Sequence, residues 1–222
     1  MRFSHILLIT PVIFLTYPSV SPAGAGLNTN AKIACHLVAH SSKTLPCQSP
    51  PKPPCNPGSS AFTTHGNLNT PYDLYILVAD GDSSGGIAAA EFGIAYKGTS
   101  QEGLDVLGWT LCGDAEYGSH PDAPAWPLAG SGTIIVWDHT ANCQKATAIG
   151  DLDAGVTAVA GCLYVYAFSN DIFKITKRPL ISPPVVSVVG CGKAAVRDTL
   201  DFPRSVGKVA FGQGGGGFDP CQ

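Results

Sequence analysis

Clustered aspartates form the first candidate site for chemistry in this 222-residue chain. The stretch DGDSSGGIAAAE, from Asp80 to Glu91, places acidic or hydroxyl side chains at positions one, three, five and twelve and a glycine at position six, as a calcium-binding loop does. Such a loop requires flanking helices, whereas the preceding YDLYILVA alternates with the period of a strand. We therefore predict a glycine-rich turn between two strands.

Calcium bound outside a helix–loop–helix arrangement stays open as an alternative. Asp80 and Asp82 form one acidic corner, and Asp151 and Asp153 in GDLDAG form a second. Carboxylate oxygens are the ligands that hard cations prefer. The simpler interpretation is that all four are solvated turn aspartates, a position that this residue type favours. We expect no cofactor, with calcium as the alternative.

Zinc ligation is the second chemistry that the spacing allows. His36 and His40 are four residues apart, with Cys35 and Cys47 nearby. A zinc protease motif would need glutamate where Leu37 stands. Because an exported chain favours disulfides over thiolate ligands, we expect no zinc site here.

The sequence contains no specific motif for hydrolytic catalysis. The segment AGSGT, residues 129–133, lacks the G-x-S-x-G spacing of a nucleophile elbow. Glu91, Glu102 and Glu116 could pair with aspartates as glycosidase acids, but any chain with 16 acidic residues allows such pairs. The sequence therefore predicts a protein that is not an enzyme, with a secreted hydrolase as the last-ranked alternative.

Aromatic side chains in a long polar loop form the candidate ligand-binding site. Tyr117, His120 and Trp126 lie within residues 113–132, where an exposed tryptophan could stack on a sugar ring. The favoured alternative is a lid, with Trp126 folded onto the edge of the fold, because most large aromatics are mainly buried. The other two tryptophans lie in strand-like segments and are predicted to be core: Trp109 and Trp137.

The first 25 residues have the features of a secretory signal peptide. Arg2 precedes the apolar run ILLITPVIFL, and Ala23-Gly24-Ala25 fits the small-x-small cleavage rule. The apolar run is shorter than the roughly 20 residues that span a bilayer. We predict cleavage near Ala25 and a secreted, extracellular or cell-surface protein without a membrane span after cleavage.

The charge of the chain limits its partners. It has 13 Lys and Arg against 16 Asp and Glu, and no basic block is evident. Nucleic acid and anionic membrane are therefore poor candidates. We expect an extracellular protein or a glycan as the partner.

The even number of cysteines in an exported chain predicts disulfide bonds. Eight cysteines allow about 105 pairings, so the connectivity is only a hypothesis. Position along the chain favours two bridges, Cys112–Cys143 and Cys162–Cys191. The four others would then pair among themselves: Cys35, Cys47, Cys55 and Cys221.

Seven or eight strand-like segments follow one another from Tyr72, separated by turn residues. No long helix intervenes, and only KAAVRDTL, residues 193–200, looks helical. This pattern predicts an all-β fold, a disulfide-linked antiparallel β-sandwich of jelly-roll or immunoglobulin-like type. The predicted organisation is a signal peptide, an irregular Cys- and Pro-rich segment, a sandwich domain and a Gly-rich tail, at residues 1–25, 26–71, 72–212 and 213–222.

One stretch, IAAAEFGIAYKGTSQEGLDVLGWTLCGD at residues 87–114, resembles the front half of a cohesin-like domain. These secreted β-sandwich modules overlap in fold with carbohydrate-binding modules. Shared features are a small-residue lead-in, an aromatic-x-apolar-x-Tyr strand and an apolar strand near a glycine, and AVAGCLYVYAF (158–168) resembles their long central strand. The chain departs from the pattern at Lys97, where the family usually has aspartate. The resemblance implies a fold, and no binding residue is carried over from it.

These observations together predict a secreted, non-catalytic extracellular module with a structural, adhesive or protein-interaction role. The alternative is a carbohydrate-binding module that uses exposed aromatic side chains.

Overall fold

The computed structural model describes residues 26–43, 45–55, 61–118, 122–145, 155–179, 183–192, 195–213 and 215–222. Within these ranges no residue is helical, and none of them forms a helix that could cross a membrane. The strands are β1 Lys32–Ala39, β2 His65–Gly66, β3 Pro71–Ala79, β4 Ile87–Ala95, β5 Leu104–Leu111, β6 Ala115–Tyr117, β7 Gly132–Val136, β8 Val156–Ala167, β9 Asp171–Thr176, β10 Ser187–Gly190, β11 Arg197–Thr199 and β12 Lys208–Phe211.

Two sheets face each other. The four-stranded sheet has the order β1-β3-β8-β5 and is antiparallel throughout. The eight-stranded sheet is built around β4, with β7 and then β6 on one side and β9 and β10 on the other. Pairing is antiparallel here too, except between β2 and β12. The predicted class, an antiparallel all-β sandwich, is confirmed.

One edge of β4 pairs with two strands in succession, β9 and β10. Thr176 of β9 pairs with Gly93, and Ser187 of β10 pairs with Glu91, so β9 and β10 follow the same edge of β4 in one direction. The described residues between them, 177–179 and 183–186, belong to no strand of the sheet. The neighbouring strands β12 and β11 repeat the arrangement, with β12 beside β9 and β11 beside β10. The segment between β9 and β10 and the segment between β11 and β12 both contribute side chains to the outward face of this sheet. Examples are Arg178 and Arg204.

The core lies between the two sheets and follows from period-two alternation. Phe92 and Ile94 of β4 and Phe173 of β9 point inward, against Leu74 and Ile76 of β3. All five are fully buried. Burying each such side chain contributes about 1.5–3 kcal/mol, which makes this layer the main source of stability.

The outward face of the four-stranded sheet is covered by a second apolar cluster. Tyr75, Leu77 and Cys162 of the sheet contact Phe62 and the bonded cysteines of the N- and C-terminal segments. Residues 45–55, here called the strap, form no strand and are anchored by the disulfide bonds of Cys47 and Cys55, which fits a Pro-rich segment because prolines favour extended chain without ladder bonds. The eight-stranded sheet therefore carries the face that no such segment covers in the described chain.

The sandwich starts earlier than predicted and involves the tail. β1 lies within the segment 26–71 but pairs along its length with β3. At the other end, Phe218 forms a bridge with Lys208. The boundaries at Tyr72 and at residue 212 are therefore corrected, because non-local strand pairing incorporates both flanking segments.

The disulfide bonds differ from the predicted connectivity. They are Cys47–Cys112, Cys55–Cys221 and Cys143–Cys191. The predicted Cys112–Cys143 bond is wrong because these residues follow strands of different sheets, β5 and β7. The predicted Cys162–Cys191 bond is also wrong: Cys162 and Cys35 are free and buried. Within the predicted group of four, only Cys55 and Cys221 pair with each other.

Two local predictions are also corrected. Residues 197–199 of the helix-like KAAVRDTL form strand β11, because pairing with β10 outweighs local helix propensity. In β5, strict alternation along LDVLGWTLC predicts Leu107 on the same face as Trp109, but a bulge between Val106 and Gly108 leaves Leu107 unpaired and exposed.

Candidate functional site

The acidic stretch after β3 is a turn between strands, as predicted. β3 ends at Ala79 and β4 begins at Ile87. The Asp82 carboxylate accepts hydrogen bonds from Ser84 Oγ, at 2.6 Å, and from the Gly85 N–H, and these bonds hold its pKa below the usual range. The Asp80 carboxylate lies 3.8 Å from Lys32 Nζ. Both carboxylates therefore take part in the local structure of the turn.

The calcium hypothesis concerns two acidic corners, and the structure describes one of them. Asp151 and Asp153, the second predicted corner, lie outside the described residues. Across the described part of the chain, no three His, Cys, Asp or Glu side chains come together as a metal site would require. Calcium at Asp80 and Asp82 stays a prediction.

The candidate zinc ligands have other partners. The His36 Nδ1 atom accepts a hydrogen bond of 3.0 Å from the Thr63 N–H, and burial lowers the pKa of this histidine. His40 lies 2.8 Å from the buried Asp73 carboxylate. Cys47 is in a disulfide bond and Cys35 faces the core. The structure does not bring the four together.

The three candidate glycosidase acids each bind a different partner. Glu102 is exposed and pairs with Lys97 at 3.6 Å. Glu116 accepts a hydrogen bond of 2.6 Å from Trp109 Nε1. Glu91 is buried and lies between two arginines, described below. This arrangement uses each carboxylate in a structural contact.

The aromatic loop does not present a flat platform. Trp126 packs edge-on against Phe92 and Trp109, with ring centroids 5.7 and 5.2 Å apart. Tyr117 is 60% exposed, and His120 lies outside the described residues. The lid interpretation of Trp126 therefore fits its contacts, and Trp137 is core as predicted.

The outward face of the eight-stranded sheet carries a group of cations that the sequence analysis missed. Lys174 of β9 and Lys208 of β12 are directly opposite each other in the register. Lys177 and Arg204 lie beside them, and only Arg204 pairs with an acidic residue, Asp201, at 3.6 Å in the described chain. We call these four cationic residues the basic patch.

An apolar cleft opens between the cations of the basic patch. It has a volume of about 300 Å³ and is lined by Phe202, Pro203, Val206 and Phe218 among others. Both phenylalanine rings are 39% exposed, and the Lys177 ammonium lies 5.4 Å from the Phe202 ring centre, within cation–π range. The patch thus combines an apolar floor with a cationic rim.

A second cluster on the same face is held by Glu91. Its carboxylate binds Arg178 Nη1 at 3.2 Å and Arg197 Nη2, and accepts a hydrogen bond of 3.1 Å from Ser187 Oγ. Arg178 comes from the segment between β9 and β10, and Arg197 from β11. Two guanidinium groups against one carboxylate leave this cluster with a net positive charge, which extends the basic character of the face.

Charge distribution along the sequence could have indicated this surface. Residues 174–222 contain seven of the 13 basic residues and three of the 16 acidic ones, a net charge of +4. Residues 1–173 have six basic and 13 acidic residues, a net charge of −7. No block of basic residues is visible because β9, β11 and β12 assemble the face from separated positions.

The fold and site define a disulfide-linked antiparallel β-sandwich in which the described terminal segments cover the outer face of one sheet and leave that of the other open. No protein-family model and no curated protein matches the chain. Among solved structures, a cohesin module from a family 33 glycoside hydrolase of Clostridium perfringens has a TM-score of 0.43 and 6% identity over 82% of this chain and 96% of that one. The third cohesin of ScaC from Acetivibrio cellulolyticus, solved with a ScaB dockerin, has a TM-score of 0.37 and 11% identity over 67% and 92%.

Proposed function

We propose that this chain is a secreted, non-catalytic interaction module, and that its basic patch binds an acidic segment of an extracellular partner protein. The observation that carries the proposal is the pair Lys174 and Lys208, directly opposite on neighbouring strands beside an apolar cleft. Like charges at opposed cross-strand positions are destabilising. A bound carboxylate would offset that repulsion with charge-assisted hydrogen bonds.

The neighbouring side chains favour a peptide as the ligand. Phe202 and Phe218 offer apolar surface, and the cleft between them is large enough for one bulky side chain. Interfaces commonly use such an apolar anchor surrounded by polar contacts that set orientation. The basic patch therefore suits a segment that carries both carboxylates and an apolar residue.

The location of the patch supports the same proposal. The opposite sheet face is covered by the strap and the C-terminal residues, whereas the face of β9 and β12 is open in the described chain. Three disulfide bonds support an oxidising compartment, in agreement with the predicted signal peptide. An acidic protein would then be met outside the cell.

Binding to defined peptides tests the proposal. A displayed library of acidic peptides, with and without an apolar residue, is selected against the mature protein. Affinities of the selected peptides are then measured for the wild type and for K174E/K208E. We expect a loss of at least tenfold in the double variant and an affinity that falls steeply with salt.

A matched control is K43E/K52E, which makes the same change in net charge on the exposed N-terminal segment. We expect this variant to bind like the wild type. Equal losses in both variants would show that only net charge matters. Binding to sulfated or uronic glycans without binding to any acidic peptide would also contradict the proposal, in favour of a glycan ligand.

A further inference from the structure

The N-terminal segment of the described chain is fixed by one buried carboxylate. Asp198 of β11 accepts hydrogen bonds from the Gly26 N–H, at 2.7 Å to Oδ1, and from the Asn28 N–H, at 3.0 Å to Oδ2. Asp198 is 4% exposed. Each carboxylate oxygen therefore binds one backbone donor from the same short segment.

Asn28 connects this segment to the acidic turn. Its side-chain amide donates to the Gly86 carbonyl at 3.0 Å, and its Oδ1 atom accepts from the Asp82 N–H at 2.9 Å. Asn28 is itself buried. The turn that resembles a calcium loop thus serves as the docking surface for the N-terminal segment.

The carboxylate of Asp198 has no cationic partner among the described residues. Its neighbour Arg197 points to the outward face, where it binds Glu91. Buried carboxylates are usually paired with a cation, because hydrogen bonds alone replace only part of the lost hydration. The buried carboxylate of Asp198 is therefore suited to bind a cation.

The sequence before Gly26 indicates where a cation for Asp198 would come from. The small-residue sequence Ala23-Gly24-Ala25 ends immediately before Gly26, at the position where a signal peptidase would cut. Hydrolysis of the bond between Ala25 and Gly26 adds the hydroxyl of water to the Ala25 carbonyl carbon and leaves the Gly26 nitrogen as a free amine. That amine is protonated at neutral pH, since α-amino groups have a pKa of about 7.7–8.0.

We propose that cleavage between Ala25 and Gly26 creates a partly buried ion pair between the new α-ammonium group and the buried Asp198 carboxylate, which locks the mature N-terminal segment onto the sandwich. The nitrogen already lies 2.7 Å from the carboxylate, so no rearrangement is needed. A Cβ atom at position 26 would overlap the Asp198 carboxylate, so this contact requires glycine there. A cleft of about 240 Å³ adjoins Gly26 and leaves the other ammonium hydrogens access to solvent.

Two forms of the protein that differ by one N-terminal residue distinguish the contribution of the ion pair to stability from that of the other contacts. One form starts at Gly26 and the other at Ala25, each released from a cleavable fusion and oxidatively folded. The longer form keeps the amide hydrogen bond but moves the positive charge one residue away. We expect the Gly26 form to melt higher by roughly 3–8 °C, less than for a fully buried pair in a domain of this size, because the ammonium group is partly exposed.

The variant D198N completes a double-mutant cycle. In that background we expect the two N-termini to melt within about 2 °C of each other, since the charge partner is gone. A second readout is the rate at which the α-amine is reductively methylated, which should be at least tenfold slower in the Gly26 wild type than in D198N. If D198N does not fold, the two wild-type N-termini still decide the question.

Sequencing of the N-terminus of the natively secreted protein checks the cleavage itself, and it should begin at Gly26. Equal melting temperatures for the Gly26 and Ala25 forms, or a native N-terminus elsewhere, would overturn the proposal. Neither result bears on the basic patch, which is tested separately by peptide binding.

Discussion

Lys174 and Lys208 occupy directly opposed positions on β9 and β12, with both side chains on the outward face of the sheet. No carboxylate of the described residues lies within ion-pair distance of either ammonium group. The pair therefore costs stability in the free protein and offers a site for an anionic group. Removing one of the two lysines should therefore stabilise the free protein and weaken its binding to an acidic ligand.

Replacing Lys174 by threonine should stabilise the free protein. Removing a directly opposed like charge is worth about 0.2–1 kcal/mol, and threonine fits a strand position. The gain should appear in urea denaturation at low ionic strength and disappear in about 1 M salt, where charges are screened beyond roughly 3 Å. Lys52→Thr on the strap is the control and should show no salt-dependent gain. An equal gain at both salt concentrations would mean that repulsion is not its cause.

Replacing Glu91 by glutamine should be strongly destabilising. Arg178 and Arg197 would lose their shared carboxylate, and Arg178 is largely buried. We expect a loss of about 2–4 kcal/mol in the free energy of unfolding, below the full cost of breaking a buried pair because Arg197 is half exposed. The matched control is Glu102→Gln, whose exposed pair with Lys97 should matter by less than about 0.5 kcal/mol. Similar losses in the two variants would contradict the buried ion-pair assignment.

Cys35 and Cys162 should be unreactive thiols in the folded protein. Burial raises the pKa of both far above that of an ordinary cysteine, and the thiolate is the reactive form. Mass spectrometry after iodoacetamide treatment should find no label under native conditions and two labels in denaturant. Peptide mapping without reduction should recover the three disulfides described above. A fourth disulfide, or labelling of the native protein, would be incompatible with this structure.

Asp219 should make stability depend on pH with the opposite sign to a typical surface aspartate. Burial raises its pKa, and this effect outweighs the opposing effect of backbone hydrogen bonds from Cys221, at 2.9 Å, and Phe62. The folded state therefore holds the proton more tightly than the unfolded chain. This group's contribution to stability improves as pH falls through its raised folded pKa towards the ordinary value of about 3.9.

The variant Asp219→Asn isolates that contribution. At pH 7 the neutral amide avoids the burial of a charge, so the variant should be more stable than the wild type in denaturant titrations. The difference should shrink as pH is lowered towards 4, because the wild type then becomes protonated as well. A difference that grows towards low pH would contradict the assignment.

Trp126 should act as a packing residue. Its ring lies between Phe92 and Trp109, so Trp126→Ala leaves a cavity and should cost about 2–3 kcal/mol, less than a fully buried tryptophan. Near-ultraviolet circular dichroism should change because the aromatic contacts are lost. Tyr117→Ala, at the exposed end of β6, should alter neither quantity. Unchanged stability in Trp126→Ala would show that the ring is not packed in solution.

Local sequence patterns were sufficient for most strands. In YDLYILVA, residues 72–79, successive side chains point to opposite faces, as the sequence predicts, and the segment forms β3. Alternation is a property of adjacent residues and needs no knowledge of the rest of the fold. The same rule failed at Leu107, because a bulge depends on the partner strand β8.

The cysteine pairing and the basic patch required the topology. Cys47 meets Cys112 only because the strap runs back towards the end of β5. Lys174 and Lys208 are separated by 33 residues and meet through the register of β9 and β12. Composition alone showed that the C-terminal part is basic, but it could not show that the cations share one face.

The most direct test of the central claim is to map where an acidic peptide contacts the mature protein. Backbone amide shifts in a heteronuclear NMR titration should change along β9 and β12 and at Phe202 and Phe218, and these changes should be absent in K174E/K208E. Shifts confined to the strap, or to Tyr117 and Trp126, would contradict the assignment of the basic patch as the recognition surface.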